Sequence, residues 1–101
     1  MVKLIAMYKK PQDVATFDQV YFEEHIPATA KMPGLRRAEI NKVTGSPMGE
    51  PEYYLIASLY FDDQDALNEA MASEEGRASA RSLRKLGADI TMLTADVQEM
   101  E

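Results

Sequence analysis

The stretch that most constrains this fold is residues 53–61, which read as a strand with apolar side chains on both faces. One face holds Tyr53, Leu55, Ala57, Leu59 and Phe61, and the other holds Tyr54, Ile56, Ser58 and Tyr60. A strand that is apolar on both faces belongs at the centre of a sheet that is covered on both sides. Residues 2–8 repeat this pattern more weakly. The sequence therefore predicts two strands that need cover on both faces.

Caps, prolines and glycines divide the rest of the chain into elements. The first half of the chain is predicted to hold strand 2–8, a helix from about residue 13 with a break or kink at Ile26 before Pro27, and a short helical turn over 28–31. Strands 35–43 and 53–61 follow. The rest is a helix after the cap candidates Asp62, Asp63 and Asp65, a helix over 74–86 capped by Ser73 and stopped by Gly87, and strand 90–97. This strand, helix, strand, strand, helix, strand order is that of the ferredoxin-like split βαβ fold. The predicted fold class is α+β, with a four-stranded antiparallel sheet and helices on one face, in one domain of residues 1–101.

Helices on one face leave the other face of the predicted sheet uncovered. Because the strand over residues 53–61 is apolar on that face too, a monomer would expose a large apolar patch to water. A homodimer whose two sheets pack face to face would cover the patch and form a dimeric α/β barrel. A monomer with an apolar sheet surface is the alternative.

Composition excludes several classes of function. The net charge of −6 and the isoelectric point near 4.7 oppose nucleic-acid binding, which needs a basic surface. No apolar run approaches the roughly 18 residues of a membrane span. The chain has no cysteine and one histidine, and it contains no glycine-rich phosphate loop. The sequence therefore predicts a cytoplasmic protein with no metal, no bound cofactor, no nucleic-acid partner and no membrane partner.

The single histidine, His25, is the main candidate for chemistry. On a helical wheel with Val14, Phe17 and Tyr21, His25 falls in the middle of the apolar face. Two interpretations stay open. His25 closes a buried hydrogen bond that fixes the chain before Pro27, or it acts as general base or acid in a pocket between the helices and the sheet. A metal site is poorly supported, because one histidine without cysteines makes a weak ligand set.

Tyr21 lies one helical turn from His25 on the same face, so we pair the two as candidate site residues. A phenol beside an imidazole can orient a carbonyl or an enolate oxygen.

The motif Tyr21-Phe22-x-x-His25-x-Pro27, followed by Met32-Pro33-Gly34-Leu35-Arg36, resembles the signature of the EthD family. This family is associated with ethyl tert-butyl ether degradation and belongs to the dimeric α/β-barrel superfamily. The resemblance extends over essentially the whole chain, including the Ser73-x-Glu75-Gly76 helix start. Ala38 departs from the pattern, since relatives often carry an aromatic residue there.

The resemblance implies a protein of a catabolic or biosynthetic pathway that handles a small apolar or aromatic molecule. A catalytic member would be a cofactor-independent oxygenase, isomerase, cyclase or lyase, with His25 as base and Tyr21 as orienting residue. The alternative is a non-catalytic binding or accessory protein that uses the same fold and pocket.

Overall fold

The computed structural model describes residues 1–100 and contains one antiparallel sheet with helices on one face. In chain order its elements are β1 Val2–Tyr8, α1 Val14–Val20, a π-helical segment Tyr21–His25, α2 Ile26–Ala30, β2 Arg37–Lys42, β3 Leu55–Phe61, α3 Gln64–Ala72, α4 Glu74–Leu83 and β4 Ile90–Asp96. The predicted α+β class and the ferredoxin-like order of elements are confirmed, because each of the two predicted helical regions is simply divided into shorter helices.

The sheet order is β2-β3-β1-β4, and every neighbouring pair is antiparallel. The two strands that the sequence predicted to need cover on both faces, β1 and β3, occupy the centre. Ile5 of β1 is paired with Ser58 of β3 on one side and with Leu93 of β4 on the other. This register decides which side chains share each face of the sheet.

The helix-covered face of the sheet carries the core. Its fully buried large side chains are Tyr8, Phe17, Tyr21, Leu55 and Phe61. The rings of Phe17 and Tyr21 stack with their centroids 5.5 Å apart, and Tyr8 meets both rings edge-on. This aromatic cluster attaches the first helical region, made of α1, the π-helical segment and α2, to the central strands. It thereby fixes which side of that region faces the core.

The opposite face, which we call the open sheet face, has no covering element in the described chain. At its centre are the apolar side chains Ile5, Met7, Ile56 and Leu93. The first three are partly buried by their neighbours, whereas Leu93 is 51% exposed. The sheet thus presents apolar surface on the side away from its helices.

Side-chain caps begin α1, α3 and α4, and for α3 and α4 the capping residue is a predicted candidate. Asp13 accepts a hydrogen bond from the Thr16 backbone N–H, Asp63 from that of Ala66 and Ser73 from that of Gly76. The other cap candidates differ. Asp62 instead forms an ion pair with Arg36, and Asp65 lies within the first turn of α3.

Of the break or kink predicted at Ile26, the break does not occur. Ile26 keeps helical dihedrals of φ −60° and ψ −46°, and its N–H bonds the carbonyl of Tyr21, five residues back. The helix widens into a π-helical segment before Pro27 instead of ending. Pro27 then stands at the start of α2, where a missing N–H is tolerated.

Helix α4 ends at Leu83, three residues before the predicted end. Residues 84–86 form tight turns in which each N–H bonds the carbonyl three residues back. Gly87 follows with φ +64°, the left-handed conformation that a glycine adopts without strain. The predicted stop residue is therefore confirmed, while the last turn of the helix is not α-helical.

Candidate functional site

His25 ends the π-helical segment and lies between the first helical region and α4. It is 6% exposed, as the helical wheel predicted, and its ring centroid is 5.2 Å from that of Tyr21. Glu23 and Glu24 of the same segment are exposed, so the carboxylates beside His25 in sequence lie away from the imidazole. The fold thus brings together the two residues that the sequence selected.

The His25 ring is bonded to hydroxyl groups that sequence reasoning missed. Its Nδ1 lies 2.6 Å from the Ser82 Oγ, and its Nε2 lies 3.4 Å from the Thr29 Oγ1. The Thr29 hydroxyl in turn lies 2.7 Å from the Ser79 Oγ. Ser79 and Ser82 are three residues apart on α4, a spacing that puts both on one helical face. That spacing was the available signal, but the sequence did not show which helix would meet α4.

A small cavity, the inner cavity, lies beside these groups between the helices and the sheet. Its volume is about 40 Å³, and its lining is mostly apolar. The polar side chains that contribute to it are Tyr8, Tyr21, His25, Thr29 and Ser79. This space is enough for a few waters or for one edge of an organic molecule.

A larger depression, the outer groove, lies next to the inner cavity, between α2 and β2. It has a volume of about 270 Å³ and shares Ile26, Thr29, Ile40 and Leu59 with the inner cavity. Ala38 lines this groove and is exposed. The small side chain of Ala38, where relatives often carry an aromatic residue, therefore leaves space in the outer groove and not in the inner cavity beside His25.

The Tyr21 hydroxyl is buried and has no hydrogen-bond partner among residues 1–100. Burial, and secondarily the charge and hydrogen-bonding influence of the nearby Tyr8 hydroxyl, holds the pKa of Tyr21 far above its usual value, although the two hydroxyls do not form a hydrogen bond of normal geometry. Burial also raises the pKa of Tyr8 to about 12. Both phenols are therefore neutral at neutral pH. Tyr21 lines the inner cavity, and its O–H is buried without a hydrogen-bond partner among the described residues. An unpaired buried hydroxyl is costly, so this group is suited to a bound molecule.

Burial lowers the pKa of His25 below its ordinary value, because a cationic imidazole loses its hydration there. The hydrogen bond to the Ser79 backbone carbonyl opposes this effect but is the smaller cause. His25 is therefore neutral at neutral pH and able to accept a proton.

The buried, neutral His25 predicts a pH-dependent stability. The unfolded chain takes up a proton on this residue near pH 6.5, whereas the folded chain does so only at lower pH. The free energy of unfolding should therefore fall as pH drops below about 6.5, by at most about 1.4 kcal/mol per pH unit, until the folded pKa is passed. Urea unfolding between about pH 7.5 and about pH 5 measures it.

The control for this measurement is His25→Asn, which removes the only histidine of the chain. Its stability should change less than that of the wild type over the same interval. Equal slopes for the two proteins would contradict the assignment of a lowered pKa to His25.

Among residues 1–100, no group of three or more histidine, aspartate or glutamate side chains is arranged to hold a metal ion. The carboxylate next to His25 in the sequence, that of Glu24, accepts a hydrogen bond from the Lys85 Nζ at 2.8 Å.

None of the described helices is long and apolar enough to cross a membrane.

Comparison with known proteins identifies a family and a related protein. The family model of the EthD domain matches residues 9–94. An uncharacterised 11.0 kDa protein from the thcB-thcC intergenic region of Rhodococcus erythropolis is 30% identical over 97 residues, covering 95% of this chain and 94% of that protein.

Solved structures match over nearly the full length. The crystal structure of an ethyl tert-butyl ether degradation (EthD) family protein from Bacillus halodurans has a TM-score of 0.91 and 41% identity, covering 97% of this chain and 99% of that one. SnoaB, a cofactor-independent oxygenase from Streptomyces nogalater, has a TM-score of 0.72 and 17% identity, covering 98% and 94%. At that identity the second match concerns the fold alone.

Proposed function

This chain belongs to the EthD family, and from that premise we propose that it is a cofactor-independent catalyst of proton transfer on small, mostly apolar organic molecules. The observation that carries the proposal is the pairing of a buried neutral imidazole, His25, with a buried phenol, Tyr21, that has no hydrogen-bond partner among the described residues. A base and a phenol without a hydrogen-bond partner, on two residues that line one apolar cavity, are the parts that enolisation requires.

The proposed step moves one proton. The His25 imidazole removes a proton from a carbon next to a carbonyl group, and the electron pair of the broken C–H bond becomes the enolate. The Tyr21 hydroxyl donates a hydrogen bond to the oxygen on which the negative charge develops. Return of the proton from the imidazolium to another atom completes an isomerisation. Exclusion of water by the apolar lining strengthens both interactions.

The substrate class follows from the lining and size of the two spaces. The inner cavity of about 40 Å³ is far smaller than the roughly 300–1,000 Å³ of ordinary small-molecule sites. It therefore receives only the reacting edge of a substrate, while the outer groove of about 270 Å³ holds the apolar body. A neutral, largely aromatic ketone or lactone fits this division.

Exchange of solvent deuterium tests the proposal directly. The wild-type protein is incubated in D₂O with 1-tetralone, an enolisable aromatic ketone, or with dihydrocoumarin, a lactone, and α-deuterium is measured by mass spectrometry. We expect exchange above the buffer rate with at least one of them. Exchange at the buffer rate with both compounds, although both are shown to bind at His25, would contradict a catalytic role.

A non-catalytic binding or accessory role is the second candidate. The observation that favours it is that both ring nitrogens of His25 already lie near hydroxyl groups of the fold, Ser82 and Thr29. In this case 1-tetralone shifts the NMR signals of His25 on binding while its α-protons exchange no faster than in buffer.

The open sheet face supports a further part of the proposal, namely a homodimer formed through this face. Its apolar centre is flanked by a polar edge, where Tyr60 donates a hydrogen bond to Glu39 at 2.9 Å and Arg37 lies over the Tyr60 ring at 5.3 Å. An apolar centre with a polar edge is the usual composition of a protein interface. We place this dimer in the cytoplasm, with residues 1–101 acting as one domain.

Leu93→Glu is expected to dissociate this dimer. The substitution puts a carboxylate on the apolar centre in both copies, and losing the burial of the exposed half of two leucines costs about 1.5–3 kcal/mol. The dimer dissociation constant should rise at least about 10- to 10²-fold, as measured by sedimentation. Thr94→Glu is the matched control, because Thr94 is exposed on the other face of the same strand and should leave the dimer intact. A monomeric wild type at micromolar concentration would contradict the proposal.

A further inference from the structure

Ser82 makes two short contacts with different requirements for protons. Its Oγ lies 2.6 Å from the backbone carbonyl oxygen of Ser79 and 2.6 Å from Nδ1 of His25. The carbonyl oxygen has no proton to donate, so the contact to Ser79 requires the single hydrogen of the Ser82 hydroxyl. Bonding of a serine hydroxyl to a carbonyl three residues back is common within helices.

The Ser82 hydroxyl then has only lone pairs left for His25. A contact of 2.6 Å between Ser82 Oγ and His25 Nδ1 is therefore a hydrogen bond only if Nδ1 carries the proton. Because His25 is neutral, its other ring nitrogen, Nε2, is unprotonated.

The surroundings of Nε2 leave its lone pair available. Its partner, the Thr29 hydroxyl, lies at 3.4 Å, a long distance for a hydrogen bond, and the same hydroxyl lies only 2.7 Å from the Ser79 Oγ. Thr29 and Ser79 both line the inner cavity. The basic nitrogen of His25 thus lies on the side of the ring where the cavity is.

We propose that Ser82 is a positioning residue that holds His25 as the Nδ1–H tautomer, so that Nε2 faces the inner cavity as the proton-accepting atom. The purpose of this positioning, to prepare a base, rests on the proposed function, whereas the tautomer itself can be measured without any reaction. A base needs a third group that fixes its orientation, and here a helix hydroxyl, itself oriented by a backbone carbonyl, performs that task without a carboxylate. Neutral histidine in water prefers the opposite, Nε2–H tautomer, so the prediction differs from the default.

The test is the tautomer of His25 in the full chain, read by two-dimensional ¹H–¹⁵N long-range NMR at about pH 8, where the residue is neutral. His25 is the only histidine, so its signals need no further assignment. We expect a pyrrole-type nitrogen at Nδ1 and a pyridine-type nitrogen at Nε2. A wild-type spectrum with the proton on Nε2 overturns the proposal, whatever any variant does.

Ser82→Ala removes the acceptor of the Nδ1–H bond. The ratio of the two tautomers should shift toward Nε2–H by about three- to tenfold, the range that loss of one ordinary hydrogen bond gives. Ser82→Thr keeps the hydroxyl and should restore the wild-type ratio. Ser58→Ala is the control, because it removes a buried hydroxyl of β3 that is not among the contacts of the His25 ring. An unchanged ratio in folded Ser82→Ala would overturn the role of Ser82.

These results separate the two proposals. If His25 carries its proton on Nδ1 but neither test compound exchanges its α-protons, the proposed catalysis fails while the role of Ser82 stands. If the compounds exchange through His25 but the wild-type proton lies on Nε2, the positioning role fails while the proposed function stands.

Discussion

His25→Asn is expected to lower the rate of α-proton exchange in the accepted substrate by about 10²- to 10⁴-fold, the contribution of a positioned general base. Asparagine supplies an amide N–H for Ser82 in place of the Nδ1–H, so the bond to α4 is kept while the base is lost. The measurement is kcat/KM for deuterium incorporation into 1-tetralone or dihydrocoumarin, with folding checked by circular dichroism.

Tyr21→Phe is the partner experiment, because it removes only the hydroxyl that has no hydrogen-bond partner in the described chain. The rate should fall about 10²-fold if this hydroxyl stabilises the enolate oxygen. The free energy of unfolding should stay equal or rise by up to about 1 kcal/mol, since an unpaired buried O–H costs stability. A loss of rate without a loss of stability is a combination that a packing role of Tyr21 does not produce.

The opposite pattern would contradict the assignment. If His25→Asn exchanges protons at the wild-type rate, another group is the base. If Tyr21→Phe is less stable than the wild type and equally active, the hydroxyl serves the fold and not the reaction.

Gly76→Ala is expected to destabilise the chain by about 3 kcal/mol or more, beyond the usual cost of overfilling a core. Gly76 lies in the first turn of α4, where that helix crosses the end of α3. A Cβ at this position would stand 2.1 Å from the carbonyl oxygen of Ala70, with the Ala70 carbon and the Met71 Cα at 3.0 Å. All three atoms belong to the backbone, so relief requires moving one helix relative to the other.

The movement would also disturb the site, because α4 carries Ser79 and Ser82. Urea unfolding measures the effect on stability, and the His25 NMR signals report the displacement of α4. Gly45→Ala is the matched control, since its Cβ would meet nothing within 4 Å and its backbone conformation is an ordinary one. If Gly76→Ala is as stable as Gly45→Ala, α3 and α4 are not packed so closely at Gly76 that a Cβ is excluded.

The fold was largely predictable because its signals are local or periodic. Residues with apolar side chains on both strand faces gave the two central strands, and the cap candidates Asp63 and Ser73 gave the starts of α3 and α4. The error at Ile26 arose because the sequence rule considers the residue before a proline alone. It omits the option of widening the preceding turn, which the packing of Tyr21 and His25 on the core favours.

The candidate site was predictable only in part. Helical periodicity placed Tyr21 and His25 on the buried face, because four residues correspond to about one turn. Ser79 and Ser82 lie 50 and 57 residues farther along the chain than their partners Thr29 and His25, and their spacing on α4 does not by itself show which helix that face contacts. Their burial follows from the contact of α4 with α2 and the π-helical segment.

The sequence by itself determined the order of elements, the two-faced central strands and the buried side of the helix that bears His25, because each depends on spacing along the chain. The tertiary structure alone decided which groups meet that histidine, that the Tyr21 hydroxyl finds no partner in the described chain, and that the outer groove opens beside Ala38. These depend on how α4 packs against the first helical region, and such packing is fixed by side-chain shapes across the interior.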